Sequence, residues 1–302
     1  MFQHRHRSGD ARADRRAEYA EHYAQAGDVH TAMELMRQAL ELTPRWPLGR
    51  LRLGEYLEIA GQHDAAADIY RELLSDGGED VYGAGLKLAA LGQAPVPDSP
   101  PPAFVASLFD QYADRFETAL VDRLSYSVPE AIVAMLAGAD PLGAVLDLGC
   151  GTGLMGERIG ARASRLDGLD LSDRMLSHAR QKHIYDLLCQ ADLCDPPAEI
   201  RARRYDLITA ADVLIYIGDL APAFRLVRSL MTAGGRFAFS VEAGAEGTGY
   251  SLWPTLRYSH APDYIEAELT LAGMRVVETC RTVLRQDRGA DVHGILYLCG
   301  CA

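Results

Sequence analysis

Apolar and polar positions alternate with two different periods along the second part of the chain. After residue 103, short apolar runs are separated by stretches in which apolar residues recur at helical spacing. The runs predict strands at 144–149, 165–171, 185–191, 205–211 and 236–242, and the stretches predict helices at 154–162, 173–182, 220–231 and 262–272. Two last runs, 274–284 and 292–299, have no helix between them and predict an antiparallel hairpin. This alternation predicts a doubly wound, mostly parallel α/β sheet that binds ligands at its carboxyl edge.

The first ninety residues have a helical pattern that repeats every 34 residues. Residues of similar size or turn preference recur at this offset: Ala32 and Ala66, Gly27 and Gly61, Ala20 and Gly54, Ala39 and Leu73, Tyr19 and Leu53, Pro44 and Gly78. Such a period is typical of the tetratricopeptide repeat (TPR), which residues 1–92 resemble, with a partial third unit at 81–92. Arg16 and Arg50, and Met36 and Tyr70, replace the aromatic residues of the family pattern. This unit could bind a peptide on a concave face, or it could be a purely structural helical cap. The sequence leaves both interpretations open.

A proline-rich stretch separates the two patterns. Residues 93–102 contain five prolines in ten positions, which favours an extended linker and excludes a regular helix or strand. The predicted organisation is therefore a TPR-like domain at 1–92, a linker at 93–102 and an α/β domain at 103–302.

Charge and composition narrow the possible partners. The net charge is −12, and Arg201, Arg203 and Arg204 form the densest basic cluster, which argues against a nucleic-acid substrate. No apolar run approaches the roughly 18–20 residues of a membrane span, and the polar N-terminus does not resemble a secretory signal. None of the six cysteines has the CxxC spacing of a zinc site, so we expect no metal and a reducing, cytoplasmic environment.

A glycine-rich segment follows the first predicted strand of the α/β domain. Gly149, Gly151 and Gly153 allow a sharp turn and a close approach of a ligand to the backbone. Gly151, Gly153 and Gly156 also spell the GxGxxG pattern of dinucleotide-binding proteins. Asp147, however, would repel a pyrophosphate held by this loop. S-adenosylmethionine (SAM) has no phosphate and carries an ammonium group that suits Asp147, which could also orient the loop.

Two further acidic residues complete the expected cofactor site. Asp170 ends the second predicted strand, 17 residues after Gly153, where a carboxylate can accept both ribose hydroxyl hydrogens. This feature fits a nicotinamide dinucleotide equally well. Asp192 follows the third strand and could accept from the adenine amino group, or it could be a turn residue.

The segment DLGCGTG (147–153) is specific enough to indicate a family. Residues 103–302 resemble class I SAM-dependent methyltransferases, and the whole chain resembles bacterial predicted methyltransferases with N-terminal TPR units. The stretches 108–116, 211–220 and 256–264 also resemble that group. The resemblance implies a seven-stranded sheet of order 3-2-1-4-5-7-6. It also implies SAM binding by Asp147, Gly149, Gly151, Asp170 and Asp192.

The acceptor is expected beyond the end of the fourth strand. Tyr216 is the first candidate for contact with SAM or the acceptor, although it could simply pack in the pocket wall. Glu242 follows the fifth strand. Arg257 and His260 are expected in an exposed loop after it, where they could bind an acidic acceptor or take its proton. His260 is therefore a candidate catalytic residue.

The segment 103–124 is expected to form a helix that covers the cofactor. Its apolar residues fall on one helical face: Phe104, Leu108, Tyr112, Phe116, Leu120 and Leu124. Related folds close such a helix over SAM, and Tyr112 and Tyr126 are the candidate contacts. The same pattern is also compatible with ordinary packing on the sheet.

Together these features predict a methyltransferase that uses SAM to methylate a small molecule at oxygen or nitrogen. A general base is needed only if the acceptor must lose a proton. The alternatives are a protein methyltransferase whose substrate binds the TPR-like domain, a TPR interaction protein with a SAM-sensing domain that does not transfer methyl groups, and a nicotinamide-dependent reductase.

Overall fold

The structure is a computed structural model that describes residues 7–117, 126–287 and 289–302. The chain divides into two compact units, Met1–Pro97 and Asp98–Ala302, so the division falls inside the proline-rich stretch. Two residues of the predicted apolar face, Leu120 and Leu124, lie outside the described residues.

The first unit is helical, and consecutive helices pack against one another. Its helices are α1 (Ala11–Gln25), α2 (Val29–Leu42), α3 (Pro47–Ile59), α4 (His63–Ser75) and α5 (Ala84–Ala90). Gly27 and Gly61 have φ of 85° and 72°, the left-handed conformation that lets the chain reverse after α1 and after α3. Ala32 and Ala66, which are related by the 34-residue offset, are fully buried. Small residues at these positions let neighbouring helices approach closely.

The second unit is an α/β domain. Its helices are α6 (Pro102–Tyr112), α7 (Val128–Met135), α8 (Leu154–Ile159), α9 (Asp173–Gln181), α10 (Ala198–Arg201), α11 (Ala221–Leu230) and α12 (Pro262–Leu271). Its strands are β1 (Gly143–Leu148), β2 (Ala163–Asp170), β3 (Leu187–Gln190), β4 (Tyr205–Ala210), β5 (Met231–Ala243), β6 (Tyr250–Leu252), β7 (Tyr258–His260), β8 (Met274–Asp287) and β9 (Ala290–Cys301). Helix α6 ends at Tyr112, so the predicted continuous helix from 103 is interrupted by a 3₁₀ turn at Ala113–Arg115.

All strands of this unit belong to one mixed sheet. Strands β3, β2, β1, β4 and β5 are parallel neighbours in that order, β9 pairs antiparallel with β5, and β8 pairs antiparallel with β9. The predicted Rossmann-like α/β architecture and its antiparallel terminal hairpin are confirmed. The sheet also contains a small hairpin, β6–β7, where the sequence pattern predicted a loop.

The added hairpin extends the sheet at the carboxyl end of β4. Glu242 in β5 pairs with Ser259 of β7 and with Gly294 of β9. A strand has two edges, and β9 occupies one edge of β5. β7 therefore pairs with the same edge of β5 as β4 does, closer to the carboxyl end of β5. No helix in the described part of the chain is both long and apolar enough to cross a lipid bilayer.

Candidate functional site

The loop after β1 holds three glycines in the left-handed conformation. The φ angles of Gly149, Gly151 and Gly153 are 62°, 55° and 93°, and α8 begins directly afterwards. A Cβ on Gly149 would lie 2.3 Å from the Val213 side chain, whereas a Cβ on Gly151 would meet nothing closer than the Phe116 ring at 3.8 Å. Gly149 is therefore required by packing, and the backbone at Gly151 is open to a ligand.

The third glycine of the GxGxxG pattern makes room for a tyrosine. A Cβ on Gly156 would lie 2.4 Å from the Tyr185 hydroxyl oxygen. That hydroxyl donates a hydrogen bond to Asp147 Oδ2 at 2.7 Å. Tyr185 is a residue that the sequence analysis missed. The only indication of this contact in the sequence is Gly156, which lies 29 positions before Tyr185.

Asp147 is buried between two hydroxyl groups. Its residue exposure is 1%, and Thr209 Oγ1 donates to its Oδ1 at 2.8 Å, opposite the Tyr185 contact. Burial raises the pKa of Asp147 to about 6, against the effect of these two hydrogen bonds. Asp147 is not among the residues that line the cavity described below.

Asp170 connects the end of β2 to the glycine loop. Its Oδ2 accepts from the Gly151 N–H at 2.9 Å, and its Oδ1 accepts from the Ser172 N–H at 2.8 Å. Burial raises the pKa of Asp170 to about 6. The Leu171 N–H is also hydrogen-bonded to this carboxylate. The two oxygens have four lone pairs in total, so the carboxylate keeps capacity to accept a hydrogen from a ligand.

A cavity that is partly open to solvent lies at this edge of the sheet, with an empty volume of about 650 Å³ that includes the solvent at its mouth. Its lining includes Asp170 and Asp192 and no lysine or arginine among the described residues. The remaining lining residues are mostly apolar: Ser99, Pro100, Pro102, Val105, Phe109, Gly149, Leu169, Leu171, Ala191, Leu193, Cys194, Val213, Tyr216 and Ile217. Asp192 Oδ1 accepts from the Cys194 N–H at 2.8 Å, so Asp192 is a turn residue and a cavity residue at once.

Tyr216 lines the cavity, and Tyr112 does not. The ring of Tyr216 contacts the edge of Phe109, with centroids 5.2 Å apart, and its hydroxyl is hydrogen-bonded by the Arg257 guanidinium. Burial raises the pKa of Tyr216, so the hydroxyl stays protonated at neutral pH. Tyr112 is 52% exposed at the end of α6. The cavity contacts of α6 are made by Pro102, Val105 and Phe109, and not by Tyr112 as expected.

A charged cluster of five residues lies close to the carboxyl ends of β4, β5 and β8. Asp212 follows β4, Glu242 lies in β5, Arg285 and Asp287 lie in β8, and Arg257 directly precedes β7. Arg285, whose side chain is 3% exposed, contacts both carboxylate oxygens of Asp212 at 2.6 and 2.7 Å and also donates to Glu242. Arg257 contacts Asp287 at 2.8 Å. The sequence pattern assigned no role to Asp212, Arg285 or Asp287. An arginine within a strand-like run was the only signal, and it did not indicate a partner.

Asp212 adopts an unusual backbone conformation within the charged cluster. Its φ is 57°, which is rare for a residue other than glycine. Its N–H donates to the hydroxyl of the buried Ser240 at 2.8 Å, and its carboxylate meets Arg285. These contacts stabilise the left-handed conformation, as is common close to functional sites.

The expectation of an exposed His260 in a loop is wrong. His260 ends strand β7 and is fully buried. Its Nε2 lies 2.9 Å from the Ile217 carbonyl oxygen and 3.1 Å from that of Gly218, so this nitrogen carries the proton and donates it. Burial lowers the pKa of His260 to about 4, which keeps the ring neutral. His260 is also absent from the cavity lining.

Comparison with known proteins shows which proteins the segment around this site resembles. Residues 146–237 match the family model described as a methyltransferase domain. The chain is 33% identical to a ubiquinone biosynthesis O-methyltransferase of Nitrosomonas europaea over 100 residues. That match covers 32% of this chain and 42% of the relative. A protein of the same name from Acinetobacter baumannii is 25% identical over 142 residues, 46% of this chain and 58% of that protein. The chain thus spans about half the length of the curated relatives it matches.

The fold is also found among solved structures. A structure described as the DhpI-SAH complex matches 67% of this chain and 97% of its own, with a TM-score of 0.50 and 21% identity. This likeness concerns the fold alone. The predicted likeness to methyltransferases is confirmed for residues 146–237.

Proposed function

We propose that the chain transfers the methyl group of SAM to a small molecule. The observation that carries this proposal is the position of Asp170. It ends β2, lines the cavity and accepts a hydrogen bond from the Gly151 N–H, and its carboxylate keeps capacity to accept a further hydrogen. A diol such as that of ribose offers two hydroxyl hydrogens to such a carboxylate.

The other residues of the cavity fit the rest of the cofactor. Apolar side chains such as Leu171, Leu193 and Ile217 can pack against a purine ring, and Asp192 keeps acceptor positions beside them for an amino group. The open face of Gly151 admits a ligand close to the backbone, and we assign Gly149 and Gly153 to the conformation of the loop. Asp147 then acts by holding that loop through Tyr185 and Thr209.

A dinucleotide fits this site less well than SAM does. A pyrophosphate is usually met by N–H groups and cations, whereas two carboxylates and no lysine or arginine stand among the described lining residues. Gly156 is explained by the Tyr185 hydroxyl and not by a phosphate. The literal GxGxxG pattern therefore does not favour a reductase.

The chain's own part in methyl transfer is to position the acceptor and to exclude water. SAM, when bound, supplies a methyl group on a sulfonium that needs no further activation. Phe109 and Tyr216 form an apolar wall that limits access of water, and the protonated Tyr216 hydroxyl can donate to an oxygen of the cofactor or acceptor. We therefore assign Tyr216 as the contact residue and assign no general base.

A small-molecule acceptor is supported by the relatives and by the charge. The two curated relatives are named as O-methyltransferases of ubiquinone biosynthesis. The net charge of −12 does not favour a nucleic acid. We propose oxygen or nitrogen as the acceptor atom.

We also propose that residues 1–92 form a TPR-like domain and that 103–302 form the methyltransferase domain, with 93–102 between them. The left-handed Gly27 and Gly61 and the buried Ala32 and Ala66, each pair 34 positions apart, support the repeat.

All six cysteines are free thiols, which supports a cytoplasmic location.

Calorimetric titration of SAM and, separately, NADH into the purified chain tests the cofactor. We expect SAM to bind at micromolar strength and NADH not to bind. Asp170→Ala should weaken SAM binding by about 1–3 kcal/mol, the range for hydrogen bonds to a charged group. Asp195→Ala is the matched control, because Asp195 is an exposed carboxylate on the same unit, paired with Arg201. Absence of SAM binding by folded protein would contradict the proposal. Binding without transfer to any acceptor in a screen with labelled SAM would favour the sensing alternative.

A further inference from the structure

Residues 217–219 join two walls of the cavity. Tyr216 and Ile217, on one wall, directly precede Gly218. Ser99 and Pro100, on another wall, directly follow Asp98. The Asp98 carbonyl oxygen accepts from the N–H groups of Gly218 and Asp219, both at 2.9 Å. The spacing of these two walls therefore depends on the contact between Asp98 and residues 217–219.

The side chain of Asp98 makes a second connection. Its Oδ1 accepts from the Tyr250 hydroxyl at 2.6 Å. Burial, together with this hydrogen bond, raises the pKa of Tyr250 to about 12, so Tyr250 remains the donor throughout the neutral range. Asp98 is thereby held by its backbone to the loop after β4 and by its side chain to β6.

His260 holds the same loop through its carbonyl groups. Its Nε2–H is shared between the carbonyl oxygens of Ile217 and Gly218, at 2.9 and 3.1 Å. The N–H groups of Gly218 and Asp219 donate to Asp98, so the peptide groups of 217–219 are bound on the donor side and on the acceptor side. The neutral His260 ring is thus satisfied at Nε2 as a donor to the backbone, while its buried Nδ1 has no hydrogen-bond partner among the described residues.

Aromatic rings surround this loop and restrict its position. A Cβ on Gly218 would lie 2.7 Å from the Tyr250 ring and 2.8 Å from the Tyr258 ring. The His260 ring stacks on Tyr264 with centroids 6.2 Å apart, and the Tyr264 hydroxyl donates to Asp219 at 3.0 Å. The loop therefore has little room to move while these rings are in place.

We propose that Asp98 and His260 are positioning residues that hold residues 217–219 from two sides and so fix the two walls of the cavity. The role for binding rests on the proposed function, since the ligand of this cavity is SAM in that proposal. Neither residue touches the reacting groups. Asp98 acts through the backbone that continues into Ser99 and Pro100, and His260 acts through Ile217 and Tyr216. This assignment replaces the catalytic role that the sequence suggested for His260.

Hydrogen exchange of the ligand-free protein tests the positioning directly. Asp98→Ala and Tyr250→Phe remove the same hydrogen bond, so each should speed exchange in peptides covering 99–109 and 214–219 by roughly threefold to tenfold. The double variant should be no faster than either single variant. Asp98→Asn keeps an acceptor oxygen for Tyr250 and should restore protection. Asp195→Ala removes an exposed carboxylate elsewhere on the unit and should leave these peptides unchanged.

The histidine arm compares His260→Gln with His260→Phe. A glutamine amide can donate to the two carbonyl groups and should retain most SAM affinity and turnover, while phenylalanine should lose both together with the protection of 214–219. Loss of turnover in His260→Gln with SAM affinity and exchange unchanged would show a catalytic histidine and overturn the proposal. Wild-type exchange rates in Asp98→Ala, or equal rates in Asp98→Ala and Asp98→Asn, would also overturn it. If His260→Phe does not fold, the Asp98 and Tyr250 variants still decide the outcome.

The two arms separate this proposal from the cofactor assignment. Exchange is measured without ligand, so it reports on the walls whether or not SAM binds. Faster exchange in Asp98→Ala together with no SAM binding by the wild type would contradict the proposed function and support the positioning of the loop.

Discussion

The two halves of the sheet's carboxyl edge hold their carboxylates in different ways. At the ends of β1 and β2, Asp147 and Asp170 accept hydrogen bonds from hydroxyl and N–H groups, all of them neutral donors. At the ends of β4 and β5, Asp212 and Glu242 meet the guanidinium of Arg285. The first half keeps its negative charge uncompensated, whereas the second half is largely neutralised by its own cations.

In our proposal, the first half is a binding surface and the second half is a structural connection. A carboxylate held by neutral donors keeps acceptor positions and attracts a ligand that brings hydroxyl hydrogens or positive charge. A carboxylate paired with a buried guanidinium is already satisfied and instead ties together distant strands. Arg285 and Asp212 are 73 positions apart, and the pair connects β8 to the end of β4. Each half therefore predicts a different response to substitution.

The largest effect is expected from removing the buried cation. Arg285→Leu leaves two carboxylates without their shared partner, and breaking such a pair on one side typically costs about 3–5 kcal/mol of the free energy of unfolding. Urea unfolding followed by circular dichroism measures the change. Arg174→Leu is the control, because Arg174 forms an exposed pair with Asp114 and its loss should change stability little. If the two variants are equally stable, the charged cluster does not stabilise this end of the sheet.

A smaller effect is expected from pH on the binding of SAM at the ends of β1 and β2. The pKa of Asp170 is raised to about 6, so its protonated fraction grows as the pH falls below 6 and one acceptor oxygen is lost. SAM affinity should be constant above pH 7 and about tenfold weaker at pH 5, one unit below the pKa. Calorimetry at pH 5, 6 and 7 gives the profile. Asp170→Asn should bind weakly with no such slope. A slope that persists in Asp170→Asn would assign the titration to another group, with Asp147 as the first to substitute.

The smallest effect concerns the open glycine of the loop. Gly151→Ala places a methyl group in open space at a φ of 55°, which should cost about 1 kcal/mol in stability for the left-handed conformation. The same methyl would occupy space next to the backbone that a ligand needs, so SAM affinity should fall as well. Gly149→Ala is the matched comparison, because its methyl would collide with Val213 and should reduce stability more. Unchanged SAM affinity in Gly151→Ala would place the ligand elsewhere.

The sequence predicted most of the strands and helices of the α/β unit because each is a local pattern. The runs of apolar residues located β1, β2, β4 and β5, and the absence of a helix after 274 predicted the antiparallel pair β8–β9. The pattern failed at 250–260, since strands of three residues are too short to show a period. It also assigned Tyr112 in place of Phe109, because helical spacing does not say which way the helix is turned.

The sequence by itself determined the half of the site at the ends of β1 and β2, where we propose that the cofactor binds. A segment of 24 consecutive residues, from Asp147 to Asp170, contains both carboxylates and the three glycines. A single strand–turn–helix–strand unit brings these residues close together. Tertiary structure alone decided the rest. Tyr185 reaches Asp147 over Gly156, Arg285 reaches Asp212 across the sheet, and His260 is buried against the backbone of 217–218. These partners are far apart in sequence, and each side chain has more than one plausible role until packing fixes which atoms it faces.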